Sequence, residues 1–346
     1  MLLTVACQRM GTSVGNLVLQ VSSGNPGTKE ELEPTPTAEN GELFNNLLIV
    51  ITDSNLIPLT MVPSVQYWAG SATNSKGLEF RNIPTGTYEV FAFANIDPND
   101  TWGSGLKLNE ISANPTNISS ICSAGKIAID RLFTSLSSGS TPNTENLGTS
   151  GMLLTGRQTV TIDADHVSGT VTLIRPVARL RVLLRNHTGK DVTLNSLTFS
   201  DFNASTSYLL DHRNSTTGLP TIPPSVSSYG PIPAASTNQI ISADTIEKEV
   251  YSKLLFENSA PLYKMFAQVT VGSSPGAIAY LGGSLDEGSV LKRIDNYSHI
   301  ATAVTYIQRN EELTVVMNVY SGSTIGSFVV SADNWENGGG GSHTFQ

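Results

Sequence analysis

The chain has 346 residues, of which 14% are charged, and its formal net charge is −9. This acidic balance, without a basic cluster, argues against nucleic-acid binding, which needs concentrated lysine and arginine. No run approaches the ~18 consecutive apolar residues of a transmembrane helix. The two cysteines, Cys7 and Cys122, are too few for a disulfide framework.

The segment Leu3–Cys7 has the sequence Leu-Thr-Val-Ala-Cys, an apolar run that ends in a small residue and a cysteine. A bacterial lipoprotein signal ends in this way, and its cysteine becomes the lipidated first residue of the mature protein. A secretory signal has an apolar core of roughly 7–15 residues, so we interpret residues 1–7 as the remnant of a longer signal. We therefore predict lipid attachment at Cys7; the alternative is an ordinary cysteine in a frayed terminus.

Alternation of apolar and polar residues recurs along most of the chain, as expected for β-strands buried on one face. Leu17, Leu19 and Val21 form one face of a first predicted strand. Further strands are predicted over 47–51, 78–94, 159–162, 171–174, 177–184, 192–199, 266–271, 302–307 and 313–320. Within 78–94, Pro84 and Gly86 predict the turn of a hairpin.

Helical spacing of apolar residues is rare, and it predicts only two short helices, over Lys126–Leu136 and Ala243–Leu255. A stretch rich in serine, glycine and threonine separates two strand-rich halves and ends at Ser150. We therefore predict two domains, residues 8–150 and 151–346. Many short strands joined by polar loops favour an all-β protein of two β-sandwiches with few short helices.

The sequence contains no pattern of a catalytic or metal site. The five histidines are scattered, and none begins an H-E-x-x-H motif or an i, i+4 pair. There is no G-x-S-x-G nucleophile elbow. Asp163 and Asp165, beside His166, are more simply explained as an acidic turn than as cation ligands. We therefore expect no enzymatic activity, no cofactor and no metal.

Three arginines, Arg179, Arg181 and Arg185, share one face of a predicted strand, and apolar residues occupy the other face. This alternation is typical of an amphipathic strand at the protein surface. We interpret the arginines as a solvated face, while a binding patch stays the alternative.

Four short motifs follow one another in the second half. They are Gly151–Gly156 (G-M-L-L-T-G), Arg175–Leu180 (R-P-V-A-R-L), Leu255–Asn258 (L-F-E-N) and Ile307–Asn310 (I-Q-R-N). In this order, behind the Cys7 segment, they make the chain similar to the fimbrillin-like family of Bacteroidota, which comprises major and minor fimbrial subunits and fimbrial anchor proteins. Leu313 departs from the family's pattern, because it stands where an aromatic residue is usual.

The resemblance implies two tandem transthyretin-like sandwiches of Greek-key type, in a cell-adhesion protein of the fimbrium that lipid holds at the outer membrane. In this family, subunits join when a neighbour's terminal segment replaces a first strand removed by proteolysis. Leu17, Leu19 and Val21 are the strand-exchange candidates here, although a permanent edge strand is the alternative. The implied partners are other fimbrial subunits and a host or bacterial surface receptor. Affinity would come from main-chain hydrogen bonds, and specificity from pockets for alternate side chains.

The family's proteolytic site is not matched in this chain. No arginine stands between Arg9 and Arg81, so an arginine-specific cut after the first strand has no site, whereas a trypsin-like cut at Lys29 stays open. An anchor or accessory subunit that keeps its first strand would have such a sequence. The resemblance leaves a shaft, anchor or tip role open.

A different function class is a surface glycan-binding lipoprotein. Such proteins stack aromatic side chains on sugar rings beside hydrogen-bonding groups. Tyr67, Trp68 and Trp102 lie in or near predicted loops of the first half and could supply such a platform. The motifs of the second half have no explanation under this alternative, so we favour the fimbrial interpretation.

Overall fold

The structure is a computed structural model of the chain. It describes residues 14–23, 43–59, 64–96, 101–102, 106–107, 129–135, 152–163, 165–200, 203–204, 206–218, 220–221, 229–230, 235–243, 247–259, 264–272, 278–281, 289–290, 292–294, 301–303, 306–320 and 328–334.

The regular structure of these residues is almost entirely β-strand, which confirms the predicted all-β class. The strands are β1 (Val14–Ser23), β2 (Phe44–Thr52), β3 (Val65–Thr73), β4 (Ser75–Pro84), β5 (Gly86–Ala94), β6 (Thr101–Trp102), β7 (Leu106–Lys107), β8 (Phe133–Ser135), β9 (Leu154–Ile162), β10 (His166–Leu173), β11 (Val177–His187), β12 (Val192–Ser200), β13 (Asn203–Ala204), β14 (Thr206–Tyr208), β15 (Tyr229–Gly230), β16 (Ala235–Ile241), β17 (Glu247–Phe256), β18 (Asn258–Ser259), β19 (Lys264–Val271), β20 (Ile278–Leu281), β21 (Ser289–Val290), β22 (Lys292–Ile294), β23 (Ala301–Ala303), β24 (Tyr306–Ile307), β25 (Glu311–Tyr320) and β26 (Phe328–Asn334). A 3-10 turn over Ile129–Arg131 is the only helical segment in the described ranges. None of the described residues forms a helix long and apolar enough to cross a membrane.

Two facing sheets form a first β-sandwich. One sheet has the strand order β10-β1-β4, and the other has the order β3-β2-β5-β9. β1 is the central strand of the first sheet, parallel to β10 and antiparallel to β4. Alternate apolar side chains of both sheets meet in one buried core, which includes Leu17, Leu19, Ile49, Val90 and Val171.

Two larger sheets form a second β-sandwich. One has the order β17-β11-β25-β26-β22-β23, and the other has the order β16-β12-β19-β20, with β21 also paired to β19. β11 and β25 are parallel neighbours in the larger sheet. Their inward residues, among them Leu180, Val182 and Val315, pack against Leu194 and Met265 of the facing sheet.

The change from one sandwich to the other does not lie near Ser150, where we predicted the domain boundary. β9 pairs with β5, and β10 pairs with β1, so both strands complete the first sandwich. The first core extends to Leu173 and the second begins at Ala178. The predicted position was misplaced because a polar stretch can interrupt a domain as well as end it. That the two sandwiches fold as separate domains stays a prediction.

The hairpin predicted over 78–94 is wrong, because β4 and β5 lie in different sheets. The turn after Pro84 carries the chain from one sheet across to the other. The Tyr88 hydroxyl secures this crossing by donating to the Pro84 carbonyl at 2.8 Å. The strand predicted over 302–307 is likewise divided, since β23 pairs with β22 and β24 pairs with β18.

The helix predicted over Ala243–Leu255 is also wrong, because most of that sequence forms β17, which is antiparallel to β11. A β-bulge opposite Val182 and Leu183 inserts an extra residue into β17, so that both Val250 and Tyr251 are buried. The bulge breaks the period of two and imitates helical spacing. Of the helix predicted over Lys126–Leu136, the described part is the short 3-10 turn followed by β8.

Candidate functional site

The structure places all three strand-exchange candidates in the core of the first sandwich. Leu17, Leu19 and Val21 have no exposed surface and face the second sheet. β1 has a neighbour on each side, β10 on one and β4 on the other, which excludes the alternative of an edge strand. We call the channel between β10 and β4, which β1 fills, the β1 groove.

The β1 groove offers one pocket to each inward side chain of β1. The partners across the strand pairs are Val167 and Phe80 for Leu17, Gly169 and Leu78 for Leu19, and Val171 and Lys76 for Val21. Four of these six partners have apolar side chains, Lys76 has an aliphatic stem that ends in an ammonium group, and Gly169 has no side chain. Burial of such side chains is the main favourable term for seating a strand.

The outward face of β1 makes few side-chain contacts. Val14 and Val18 are 44% and 45% exposed. Gln20 donates to the Ser75 hydroxyl, and the Asn16 carboxamide oxygen accepts from the Asn82 amide at 3.3 Å. β1 is therefore held by main-chain pairing on both sides and by apolar burial, which is how a groove holds an extended peptide.

A buried ion pair, Arg309 with Glu257, forms the second notable site. Their side chains are 2% and 1% exposed. Nε of Arg309 donates to Oε1 of Glu257 at 2.7 Å, and Nη2 bonds the same carboxylate. The guanidinium also donates to the carbonyls of Tyr208, Leu209 and Leu210 at 3.1, 3.0 and 2.9 Å. We call this arrangement the Arg309 clamp; its charge-assisted bonds satisfy three carbonyls of one turn.

The clamp joins the two sandwiches. Leu209 and Leu210 are buried in a separate apolar cluster against Leu48 and Phe91, on the face of the four-stranded sheet that points away from the first core. The Thr155 hydroxyl, from β9 of the first sandwich, donates to the Leu209 carbonyl at 2.7 Å. One turn is thus held by the second sandwich and packs on the first.

Three of the sequence motifs meet near the clamp. Arg309 and Glu257 come from separate motifs, and the short strands beside them, β24 and β18, pair with each other. Nη1 of Arg175 donates to the Asn310 carboxamide oxygen at 2.9 Å, and the Asn310 amide donates to the Val177 carbonyl at 2.9 Å. Sequence reasoning found the motifs but not this contact, because no local spacing signals a pair separated by 52 positions.

The arginine face of β11 is an ion-paired surface. Arg181 bonds Glu249 at 2.7 Å and Glu312 at 2.8 Å, and Arg179 lies 3.5 Å from the same Glu312 carboxylate. Arg185 pairs with a further glutamate of β17 at 2.5 Å. These charges are already neutralised by neighbours in the sheet, which favours the interpretation as a solvated face over a binding patch.

Two of the three aromatic residues considered for a glycan platform, Tyr67 and Trp68, do not share a surface. Tyr67 and Trp68 lie in β3, not in a loop, and as successive strand residues they point to opposite faces. Tyr67 packs in the cluster of Leu209, and burial raises the pKa of its hydroxyl. Trp68 packs against the first core, with the Lys76 ammonium 4.8 Å from its ring centroid. Trp102 is placed only as part of β6.

The lipid-attachment candidate Cys7 and the other cysteine, Cys122, lie outside the described residues. Within the described ranges, no group of three or more histidine, cysteine, aspartate or glutamate side chains could hold a metal ion.

Residues 71–336 match the family model described as fimbrillin-A associated anchor proteins Mfa1 and Mfa2. The chain belongs to this family. The match begins within β3, so it includes β4, β5, β9 and β10 of the first sandwich, all the described strands of the second sandwich and the four sequence motifs. Comparison with curated proteins finds no match.

Solved structures of proteins from three Bacteroidota species share the fold. A protein assigned to cell adhesion from Parabacteroides distasonis has a TM-score of 0.59 at 12% identity, over 94% of this chain and 98% of that one. The tip fimbrial protein Mfa3 of Porphyromonas gingivalis, with a C-terminal truncation, has a TM-score of 0.51 at 15% identity, over 93% and 99%. A second protein assigned to cell adhesion, from Bacteroides eggerthii, has a TM-score of 0.53 at 11% identity, over 94% and 98%. These structural similarities are compatible with transthyretin-like connectivity, which stays a prediction.

Proposed function

We propose that this protein is a cell-surface fimbrial anchor or accessory subunit that joins its partner subunits by strand exchange at the β1 groove. The observation on which the proposal rests is the central position of β1 in its sheet. A strand near the start of the chain fills the centre of a three-stranded sheet, and its three inward side chains are wholly buried. A partner's strand with the same alternation could occupy the same place.

The energetics of the groove favour constant occupancy. Loss of β1 would expose the facing edges of β10 and β4 and the apolar floor beneath them, which promotes aggregation or capture of another strand. Each inward side chain of β1 contributes roughly 1.5–3 kcal/mol by burial. An incoming strand would regain this burial together with the main-chain hydrogen bonds.

Two features support an anchor or accessory role over a shaft role. The matching family model is described by anchor proteins. The sequence has no arginine between Arg9 and Arg81, so an arginine-specific protease has no site just after β1 at which to release this strand. The uncut form would then persist at the cell surface. It would keep β1 in the groove until a cut at another residue, or exchange with a partner's strand, releases β1.

Lipid at Cys7 would hold such a subunit at the outer membrane. One acyl chain binds a membrane only marginally, whereas several chains together anchor a protein stably. When the full gene is expressed in its host, we expect radiolabelled palmitate to enter the protein and to be lost in Cys7→Ser. Label that persists in Cys7→Ser would contradict this attachment site.

Strand exchange is tested by deleting residues 8–28, which removes β1, and by Leu19→Asp, which places an unpaired charge in the core. We expect the deletion to form oligomers or to capture fimbrial partners in size-exclusion chromatography, and Leu19→Asp to melt at a lower temperature. Val18→Asp is the matched control, because it adds the same charge on the outward face. If the deletion and Leu19→Asp both stay monomeric with an unchanged melting temperature, strand exchange is wrong for this protein.

A further inference from the structure

We infer that Gly169 sets the size of the central pocket of the β1 groove, and that the groove therefore selects a partner strand with leucine at the middle of its three inward positions. The inference rests on the proposed exchange at this groove. It adds which strand the groove prefers and which residue is responsible.

The inward residues of β10 differ in size along the side of the groove that they form. Val167, Gly169 and Val171 alternate along the strand on the core side, so the middle position lacks the side chain that its neighbours have. The residue of β1 paired with Gly169 is Leu19. The gap in this side of the groove thus lies beside the central side chain of the seated strand.

Leu19 occupies the space that a side chain at position 169 would need. A Cβ on Gly169 would lie 3.1 Å from Cδ2 of Leu19 and 3.3 Å from Cγ2 of Val160. Both distances are tighter than ordinary van der Waals contact. Since the Leu19 contact is made by a terminal methyl group, a valine in place of Leu19 would leave room that leucine does not.

The backbone gives no other reason for glycine at this position. The φ angle of Gly169 lies outside the left-handed region that favours glycine. Glycine in a strand interior is otherwise unfavourable, and it marks a place where another group approaches closely. The approaching groups here are the side chains of Leu19 and, slightly farther away, Val160, so space and not backbone conformation explains the glycine.

The two outer pockets complete the pattern for an incoming strand. Leu17 lies between Val167 and Phe80, and Val21 has the β-branched Val171 as its partner on β10. The pairing also sets direction, because a strand that replaces β1 with the same register must run parallel to β10. The occupant is therefore an extended segment of a partner subunit with apolar residues at i, i+2 and i+4 and leucine in the middle.

The first experiment is a double-mutant cycle in the intact chain, with Gly169→Ala, Leu19→Val and the pair. Gly77→Ala is the matched control, because its Cβ would meet only the outward Gln20 side chain at 3.4 Å. We expect Gly169→Ala to lower the melting temperature more than Gly77→Ala does, and Leu19→Val to recover part of that loss. A loss from Gly169→Ala that is the same in the native chain and in the Leu19→Val variant overturns the role of Gly169.

The second experiment measures selection directly. A single protease site is placed within residues 24–42, the chain is cut so that every residue stays present, and labelled peptides of residues 14–23 compete for the groove. The native groove should favour the native peptide about tenfold over its Leu19→Val form, since one methylene is worth that order of discrimination. In Gly169→Ala this preference should shrink or reverse.

The outcomes separate the two proposals. Peptide that enters both proteins with the same preference overturns the inference about Gly169 and leaves strand exchange supported. Peptide that enters neither protein overturns strand exchange, and selection by the groove falls with it. Entry into both, with a preference that depends on residue 169, supports both proposals.

Discussion

Each sandwich contains one long parallel strand pair, and the two pairs are secured by different interactions. β1 and β10 meet over apolar inward side chains, and no ion pair among the described residues joins either strand to a neighbour. β11 and β25 share an equally apolar inward face, but their outward face carries ion pairs that join Arg179 and Arg181 to Glu312. Two further ion pairs, Arg181 with Glu249 and Arg185 with Glu247, join β11 to a third strand, β17.

If the proposed strand exchange takes place, this difference separates a replaceable strand, β1, from a permanent one, β11. Apolar burial is non-directional and roughly proportional to area, so any strand with the right alternation can supply it. Charge-assisted bonds require specific partners in a specific geometry. Under the proposed strand exchange, the first sandwich would accept a substitute for β1, whereas the second would depend on strands of this chain.

The largest effect is expected from Arg309→Met, which would leave the Glu257 charge buried without its partner and would remove three hydrogen bonds to backbone carbonyls. Breaking a buried ion pair in this way costs about 3–5 kcal/mol. Denaturant unfolding should show this loss of unfolding free energy. The control is Arg81→Met, whose exposed pair with Glu79 is worth about 0–1 kcal/mol. Equal losses in the two variants would contradict the view that the second sandwich and its junction depend on buried charge.

The next effect is expected from Leu19→Ala in β1. Truncation of a buried leucine leaves a cavity and costs about 2–5 kcal/mol. Val18→Ala, on the exposed face of the same strand, should change the unfolding free energy by no more than about 0.5 kcal/mol. Denaturant unfolding of both variants sharpens the comparison, because similar losses at the two positions would show that β1 is not held chiefly by its inward face.

The smallest effect concerns pH and Glu89, which forms the one cross-strand ion pair of the described first sandwich. Partial burial alone would raise the pKa of Glu89, but hydrogen bonds from Arg157 at 2.9 Å and Thr159 at 2.7 Å outweigh it and hold that pKa below its ordinary value of 4.5. A lowered carboxyl pKa stabilises the fold above the ordinary value, and this contribution is lost as the pH falls through the lowered one.

Glu89→Gln should therefore be less stable than the native chain at about pH 7, and the two proteins should converge as the pH falls below 4.5. Thermal melting across this range measures the difference. A difference that stays the same at both ends of the range would show that the Glu89 charge does not contribute.

Strands that are buried on one face were predictable from the sequence. β1, β11 and β25 follow strict alternation, and the inward residues expected at Leu17, Leu19 and Val21 are the buried ones. Prediction failed where tertiary structure overrides the local period. The bulge at Val250 shifts the alternation in β17, so the apolar spacing there resembles that of a helix. The connection after Pro84 could not be distinguished from a hairpin, because a hairpin and a crossing between sheets need the same turn residues.

The Arg309 clamp was beyond sequence reasoning for a different reason. Its members, Arg309, Glu257 and the turn at Leu209, are brought together by strand pairing and not by spacing along the chain. A single arginine or glutamate in a polar context is far more often exposed than buried. Only the fold reveals that this pair is buried away from water and joins the two sandwiches.

The central position of β1 also bears on mechanical load. Hydrogen bonds between strands lie across the strand direction, and β1 makes them with β10 on one side and β4 on the other. A pull along β1 therefore loads both rows of bonds in shear, all at once, whereas an edge strand pulled sideways would lose its bonds one after another. A strand seated in this groove, native or donated, would resist tension along its own axis far better than its length of ten residues suggests.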